Sequence, residues 1–304
     1  MYHRDMARSK SATICERIAR KAVVPKGRTI TQVIMEYRRH KGKKRYDLPL
    51  LIKIRDRGRI DDIVSGEMRL FYMNVESESD KLIIYLHGGA YVEEMLPFHW
   101  LMLDKITSQS AAQFIIPDYP LAPYSDFKVC YAQLETFYKK VLKYYPDKKI
   151  IFMGDSAGGG LAAGFAMYLD TLGLKGPEKL ILMSPWLDLK MDNPEIPFYE
   201  KVDPTLKRAD LSVDAAYWAN GTDLKDYRLS PMYGDVSCLK DVTMFTGTHE
   251  FFYPEVMKFS KILTEKGIRN KVYVGEGLNH VYPAFPIPEA DEAIKTMCGI
   301  IDAS

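Results

Sequence analysis

The chain has 304 residues, 47% of them hydrophobic and 27% charged, and its 42 Lys and Arg against 40 Asp and Glu leave a formal charge of +2. That composition excludes a disordered or fibrous chain, and so even a balance argues against nucleic acid as a partner. No apolar run approaches the roughly 20 residues needed to span a bilayer, so stable membrane insertion is not expected.

Charge is nevertheless unevenly distributed. Residues 1–60 hold 18 Lys and Arg against 5 Asp and Glu, and the rest of the chain carries an acidic excess of 11. One or two basic amphipathic helices are expected in this segment, with Ile30, Val33, Ile34 and Tyr37 on one face and Lys41–Arg45 as a solvated turn. The arm either lies against the acidic body of its own chain or touches an anionic surface. The N-terminus lacks the apolar stretch of a secretory signal, and a cytoplasmic home is expected. Cys15, Cys130, Cys238 and Cys298 form no C-x-x-C pair, a spacing that suits free thiols better than a disulfide framework or a zinc site.

From about residue 68, short apolar runs alternate with longer stretches of helical period. In chain order the spacing predicts strands at Leu70–Met73 and Leu82–Leu86, a helix near 98–110, a strand at Phe114–Pro117 and a helix near 126–145. A strand at Ile150–Met153, a helix near 157–172 and a strand at Leu180–Met183 follow. The chain closes with strands at Val242–Thr246 and Lys271–Val274 and helices near 253–267 and 288–301. The strands lack polar alternation, as expected when both faces are covered, and the fold class is α/β with a mostly parallel sheet between helices. Residues 186–235 break this rhythm. They form a long excursion rich in Pro, Asp and Tyr, of the kind that more often makes a lid than a linker.

Chemistry enters at Gly154-Asp155-Ser156-Ala157-Gly158, directly after an apolar run and before a helical one. A G-x-S-x-G pentapeptide at a strand-to-helix turn is the nucleophile elbow of α/β-hydrolases, and Ser156 is the candidate nucleophile. His87-Gly88-Gly89-Ala90 follows the strand Leu82–Leu86, where small residues let backbone N–H groups face a substrate oxyanion. Gly88, Gly89 and Ala157 are the candidate donors. Of the six histidines only His249 and His280 lie beyond the serine, as the order Ser…Asp/Glu…His requires. His280 follows the last predicted strand and is the candidate base. The acid is expected after the strand Val242–Thr246, at Glu250, with Glu255 as its competitor and more naturally a first-turn helix residue.

These motifs resemble the hormone-sensitive-lipase-like esterases of the α/β-hydrolase fold, whose H-G-G-G loop and G-D-S-A-G-G elbow match residues 87–90 and 154–159. Asp118–Pro123 is similar to that family's D-Y-R-L-A-P segment, which supports the oxyanion loop, and Ser184–Leu189 and Ser230-Pro231 resemble further markers. The likeness spans about residues 68–302. Ala90 stands in place of the usual third glycine, Glu250 in place of the usual aspartate and Pro120 in place of the usual arginine.

The resemblance implies a hydrolase domain at 61–304 with a helical cap built from residues 1–60 and about 186–235. It also implies a serine carboxylesterase without cofactor or metal, acting through an acyl-enzyme on soluble small-molecule esters with acyl chains of about two to eight carbons. The same residues would serve an amide or formamide hydrolase or a deacetylase, or persist in a ligand-binding protein on a hydrolase scaffold. Substrate contacts are expected from aromatic residues, foremost Tyr91, Trp218, Phe251 and Tyr282, with Phe198 and Tyr199 further candidates. A homodimer is left open.

Overall fold

The structure is a computed structural model that describes residues 2–3, 8–21, 61–65 and 68–303. The amphipathic face of Ile30, Val33, Ile34 and Tyr37 and the turn at Lys41–Arg45 lie outside the described residues.

Among the described residues the elements run, in chain order, β1 (Tyr2–His3), α1 (Lys10–Lys21), β2 (Asp61–Ser65), β3 (Met68–Met73), β4 (Lys81–Leu86), α2 (Pro97–Thr107) and β5 (Gln113–Asp118). They continue with α3 (Phe127–Tyr144), β6 (Lys149–Asp155), α4 (Ser156–Thr171), β7 (Lys179–Met183), α5 (Ile196–Val202) and α6 (Arg208–Ala219). The chain ends with β8 (Asp241–His249), α7 (Tyr253–Glu265), β9 (Arg269–Asn279) and α8 (Pro288–Asp302). The strands form one sheet in the order β1-β9-β8-β7-β6-β4-β5-β3-β2. Pairing is parallel from β1 across to β5 and antiparallel where β3 meets β5 and β2 meets β3.

The lack of alternation has a direct cause. Along β4, Leu82, Ile84 and Leu86 enter one core and Ile83 and Tyr85 the other; Phe152 and Met153 of β6 divide the same way. Period 2 is present, but both faces are apolar, so hydropathy alone does not register it. Local chemistry sets the helix ends. Asp126 caps α3 by accepting from Lys128 N at 2.9 Å and Val129 N at 3.1 Å, and Pro288 opens α8 where its missing N–H costs nothing.

Two strands run longer than hydropathy indicates. β8 continues to His249 and β9 to Asn279, through Gly247 and Gly275, which face each other in register. A Cβ on Gly247 would sit 2.0 Å from the Leu278 carbonyl oxygen, so this glycine permits close strand approach rather than marks a loop. A register shift follows Gly247, and beyond it His249 pairs with Asn279. Glu250 and His280 are therefore the next residues after a matched pair.

The excursion at 186–235 is structured, containing α5, α6 and two short 3₁₀ turns at Pro231–Tyr233 and Val236–Cys238. α1 lies against its own chain: Arg20 donates to the Val202 carbonyl at the end of α5, and Ser9 donates through N–H and Oγ to Glu289 of α8 at 2.6 and 2.9 Å. All four cysteines are free thiols. Among the described residues no helix is long and apolar enough to cross a membrane.

Candidate active site

Ser156 opens α4 immediately after β6 with φ +50°, a left-handed conformation that serine adopts only when its surroundings enforce it. The glycines on either side make this possible. A Cβ on Gly154 would lie 2.5 Å from the Gly158 carbonyl oxygen, and one on Gly158 would lie 2.1 Å from that of Leu86. His280 Nε2 is 2.9 Å from Ser156 Oγ, and His280 Nδ1 is 3.1 Å from Glu250 Oε2. Glu250 is fully buried, and its other oxygen accepts from the hydroxyl of Thr246. The three residues that the sequence singles out thus form an unbroken chain of contacts.

Glu255 takes no part in that chain. It lies in the first turn of α7, and its side chain is buried. His249 ends β8, and its Nδ1 is 3.4 Å from Glu16 Oε2.

Burial works against the charged form of His280, but the hydrogen bond and charge of Glu250 outweigh it, helped by the charges of Asp203 and Asp155. The imidazole pKa is raised above its usual 6.5.

The oxyanion loop differs from expectation at one residue. The Gly88 N–H donates to Asp155 Oδ1 at 2.9 Å and is already committed. A Cβ there would meet Asp155 Oδ2 at 2.2 Å. Gly88 is a brace, and its neighbours Gly89 and Ala90 both line the cavity beside Ser156. Among the described residues neither donates to a main-chain carbonyl. Gly89, Ala90 and Tyr91 have φ of +112°, +51° and +65°, so the backbone turns sharply there, and Ala90 keeps the shape that a third glycine would take. Two further bonds hold the loop: Tyr119 Oη donates to the His87 carbonyl at 2.6 Å, and His87 Nδ1 meets the Gly88 carbonyl at 2.7 Å. Tyr119 lies in the Asp118–Pro123 segment, which therefore does support the loop.

Sequence reasoning missed Asp155, the variable residue of the pentapeptide. Its carboxylate accepts from Tyr85 Oη and Gly88 N and lies 3.2 Å from His99 Nε2. Burial would push its pKa up, but the charge and hydrogen bond of His99, with those from Tyr85 and Gly88, hold it below the usual carboxylate value. His99 lies upstream of the serine and is set aside by the order rule, although its ring secures the elbow to the oxyanion loop through Asp155.

A cavity of about 330 Å³ opens on Ser156 and His280. Its apolar wall includes Leu96, Phe98, Leu206, Leu211, Val281 and Phe285, and Thr205, Lys207, Asp210 and Asp214 also line it. None of the four expected aromatic contacts is among the lining residues. Tyr91 and Trp218 stack on one another at 4.5 Å, Phe251 packs edge-on against Phe252, and Tyr282 belongs to the core cluster on the opposite face of the sheet from them. Each is buried because large aromatic area is most stabilising in the core. Phe198 is exposed and packs edge-on with Tyr199. Among the described residues no group of three or more His, Cys, Asp or Glu is arranged to hold a metal ion.

The profile of a family described as having the α/β hydrolase fold matches residues 83–284. An esterase of Acinetobacter venetianus is 27% identical over 226 residues, covering 73% of this chain and 75% of that protein. An acetyl-hydrolase of Streptomyces hygroscopicus is 24% identical over 238 residues, covering 77% and 80%. Among solved structures, an esterase from the bacterial hormone-sensitive lipase family superposes with a TM-score of 0.80 at 24% identity, covering 97% of this chain and 98% of that one. With residues 83–284, about two thirds of the chain, matched by that family's profile, the chain belongs to the family described as having the α/β hydrolase fold.

Proposed function

We propose that this chain is a serine carboxylesterase that hydrolyses soluble esters of short to medium acyl chains through an acyl-enzyme. It is a carboxylic ester hydrolase, in keeping with relatives named an esterase and an acetyl-hydrolase. The observation that carries the reading is the relay Ser156–His280–Glu250 at the floor of an apolar cavity.

Ser156 Oγ attacks the ester carbonyl while His280 Nε2 takes its proton, and Glu250 stabilises the resulting imidazolium. The carbonyl π pair moves onto oxygen, which is received by the N–H groups of Gly89, Ala90 and Ala157; losing one such donor raises the barrier by about 3 kcal/mol. When the tetrahedral intermediate collapses, the C–O bond to the alcohol breaks and His280 returns the proton to the leaving oxygen. Water then attacks the acyl-enzyme by the same steps, and the carboxylic acid departs.

The substrate range rests on the cavity. About 330 Å³ is at the low end of pockets that enclose small ligands, and its wall carries apolar side chains from the 186–235 excursion. We read that excursion, with the N-terminal segment, as the cap. Stoichiometric labelling by a fluorophosphonate, with p-nitrophenyl acetate turnover, tests the assignment. Ser156→Ala is expected to lose both the label and at least about 1,000-fold in kcat while remaining folded. Retention of more than a few per cent of turnover by the purified variant would assign the chemistry to another nucleophile.

A further inference from the structure

We infer that Asp203 is a positioning residue whose carboxylate joins the turn walling the substrate cavity to the main chain of the loop that carries Glu250. The inference rests on the reading of Ser156, His280 and Glu250 as the catalytic relay.

Asp203 ends α5, where its N–H bonds to the Tyr199 carbonyl at 2.8 Å, and its side chain is buried. Oδ1 accepts from Thr205 N at 2.7 Å, Thr205 Oγ1 at 3.0 Å and Leu206 N at 2.8 Å. These three bonds close an aspartate turn, which needs only one oxygen and is usually solvated. The second oxygen is committed elsewhere: Oδ2 accepts from Phe251 N at 2.8 Å, across 48 residues of sequence. A buried carboxylate is costly unless its lone pairs are satisfied, and four donors satisfy this one.

What the two oxygens hold gives the arrangement its meaning. Thr205 and Leu206 line the cavity that opens on Ser156. Phe251 directly follows Glu250, whose carboxylate meets His280 Nδ1. A substrate that displaces the 205–206 wall therefore pulls, through one rigid carboxylate, on the loop that orients the base. The same group acts electrostatically. The charged side chains biasing His280 are Glu250, Asp203 and Asp155, and the ring of Phe252 stands edge-on at 5.3 Å. Three negative charges favour the imidazolium that forms as Ser156 attacks. Asp203 is the one that also holds the wall at Thr205 and Leu206.

Two variants of the full-length enzyme separate these roles. In Asp203→Asn the amide cannot accept on both sides, so its NH2 opposes either Phe251 N–H or the turn. In Asp203→Ser the hydroxyl still closes the turn but does not reach Phe251. Hydrolysis of p-nitrophenyl butyrate is measured from pH 5 to 9, with each rate normalised to the fraction of Ser156 labelled by a fluorophosphonate. Both variants are expected to lose about 10- to 100-fold in kcat, more than they change KM, because a small misplacement of the base suffices. The acid limb of the pH profile is expected to move to lower pH, as a negative charge near His280 is gone. Folded, labelled variants with wild-type kcat and an unshifted limb, or a change in KM alone, would overturn the inference. Failure of the underlying catalytic reading has a different signature, a Ser156→Ala enzyme that keeps turnover. Should neither variant be recovered folded, amide exchange in the wild type decides. Protection of Phe251 N–H equal to that of Thr205 and Leu206 supports the link, and exchange at the rate of an open loop overturns it.

Discussion

Glu250 illustrates what a single side chain contributes here. It is buried, and its two oxygens divide their work: one meets Thr246 and the other holds His280 Nδ1, so the ring presents Nε2 to Ser156. Its bond and charge are also the main causes that raise the imidazole pKa against the opposing effect of burial. A general base must be neutral to take a proton, so kcat/KM is expected to fall as pH drops through the His280 pKa, with its acid limb above 6.5. Glu250→Gln is expected to lower kcat by about 1,000- to 10,000-fold, because an amide stabilises the imidazolium poorly. The acid limb of its residual activity should also lie at lower pH than in the wild type, and pH–rate profiles of both enzymes check this. An unshifted limb would mean that another group sets the imidazole pKa. The three residues proposed as acid, base and nucleophile were all legible in the sequence, since order along the chain and distance from a strand end constrain them strongly. The role of Asp155, which braces the oxyanion loop, was not, because G-x-S-x-G leaves its position free and the G-D-S-A-G-G match names the residue without saying what it touches.

At the level of elements, α7 carries a test of stability rather than of rate. Glu255 is expected from sequence to be a first-turn acid near the helix amides. It does occupy the first turn, but burial and the charge of Asp188, only partly offset by Lys258, push its pKa up to about 7. The folded pKa exceeds the ordinary 4.5, so the fold favours the protonated form. That contribution is fully present below 4.5 and is lost as pH rises through about 7, after which the penalty is constant. Thermal unfolding of Glu255→Gln across pH 4.5–9 is expected to show a flatter curve, with Tm above the wild type at pH 8 by about 2–4 °C for each kcal/mol relieved. Turnover should be unchanged. A variant whose Tm tracks the wild type at every pH would place the charge in solvent. Most helices and strands from residue 68 onward were legible because each is an apolar or periodic run. β1, β2, α5 and α6 were not read from the sequence, and the ends of β8 and β9, past Thr246 and Val274, were left out of their strands. Nothing in a single strand reports that its neighbour approaches within 2.0 Å of where a side chain would begin.

For the molecule as a whole, the expectation that follows from the cavity is a ceiling on chain length. Each buried methylene contributes about 0.8 kcal/mol, so kcat/KM on p-nitrophenyl esters should rise from acetate until about 330 Å³ is filled, and then fall. The drop is expected by about eight to ten carbons, since further methylenes must displace the wall at Thr205–Leu211 or stay in water. Measurements from C2 to C16, below and above substrate solubility, check it. A rate that keeps increasing to C16, or jumps when droplets form, would contradict an enclosed site.

By itself the sequence determined the fold class, the alternation of strands and helices, and the three residues proposed for the relay, which the fold brings into contact. All of these depend on local chemistry: apolar runs for buried strands, small residues at the elbow, and the order in which strand ends deliver side chains. Tertiary structure alone decided the rest. Tyr91, Trp218, Phe251 and Tyr282 pack in the core instead of lining the cavity, a choice made by neighbours distant in sequence. Gly88 turned from donor to brace because Asp155, 67 residues away, accepts its N–H. Asp203 acquired its link to Phe251 only when α5 folded against the acid loop. Motifs record what one segment must do locally; which long-range partner takes each hydrogen bond is fixed by the packing that brings segments together.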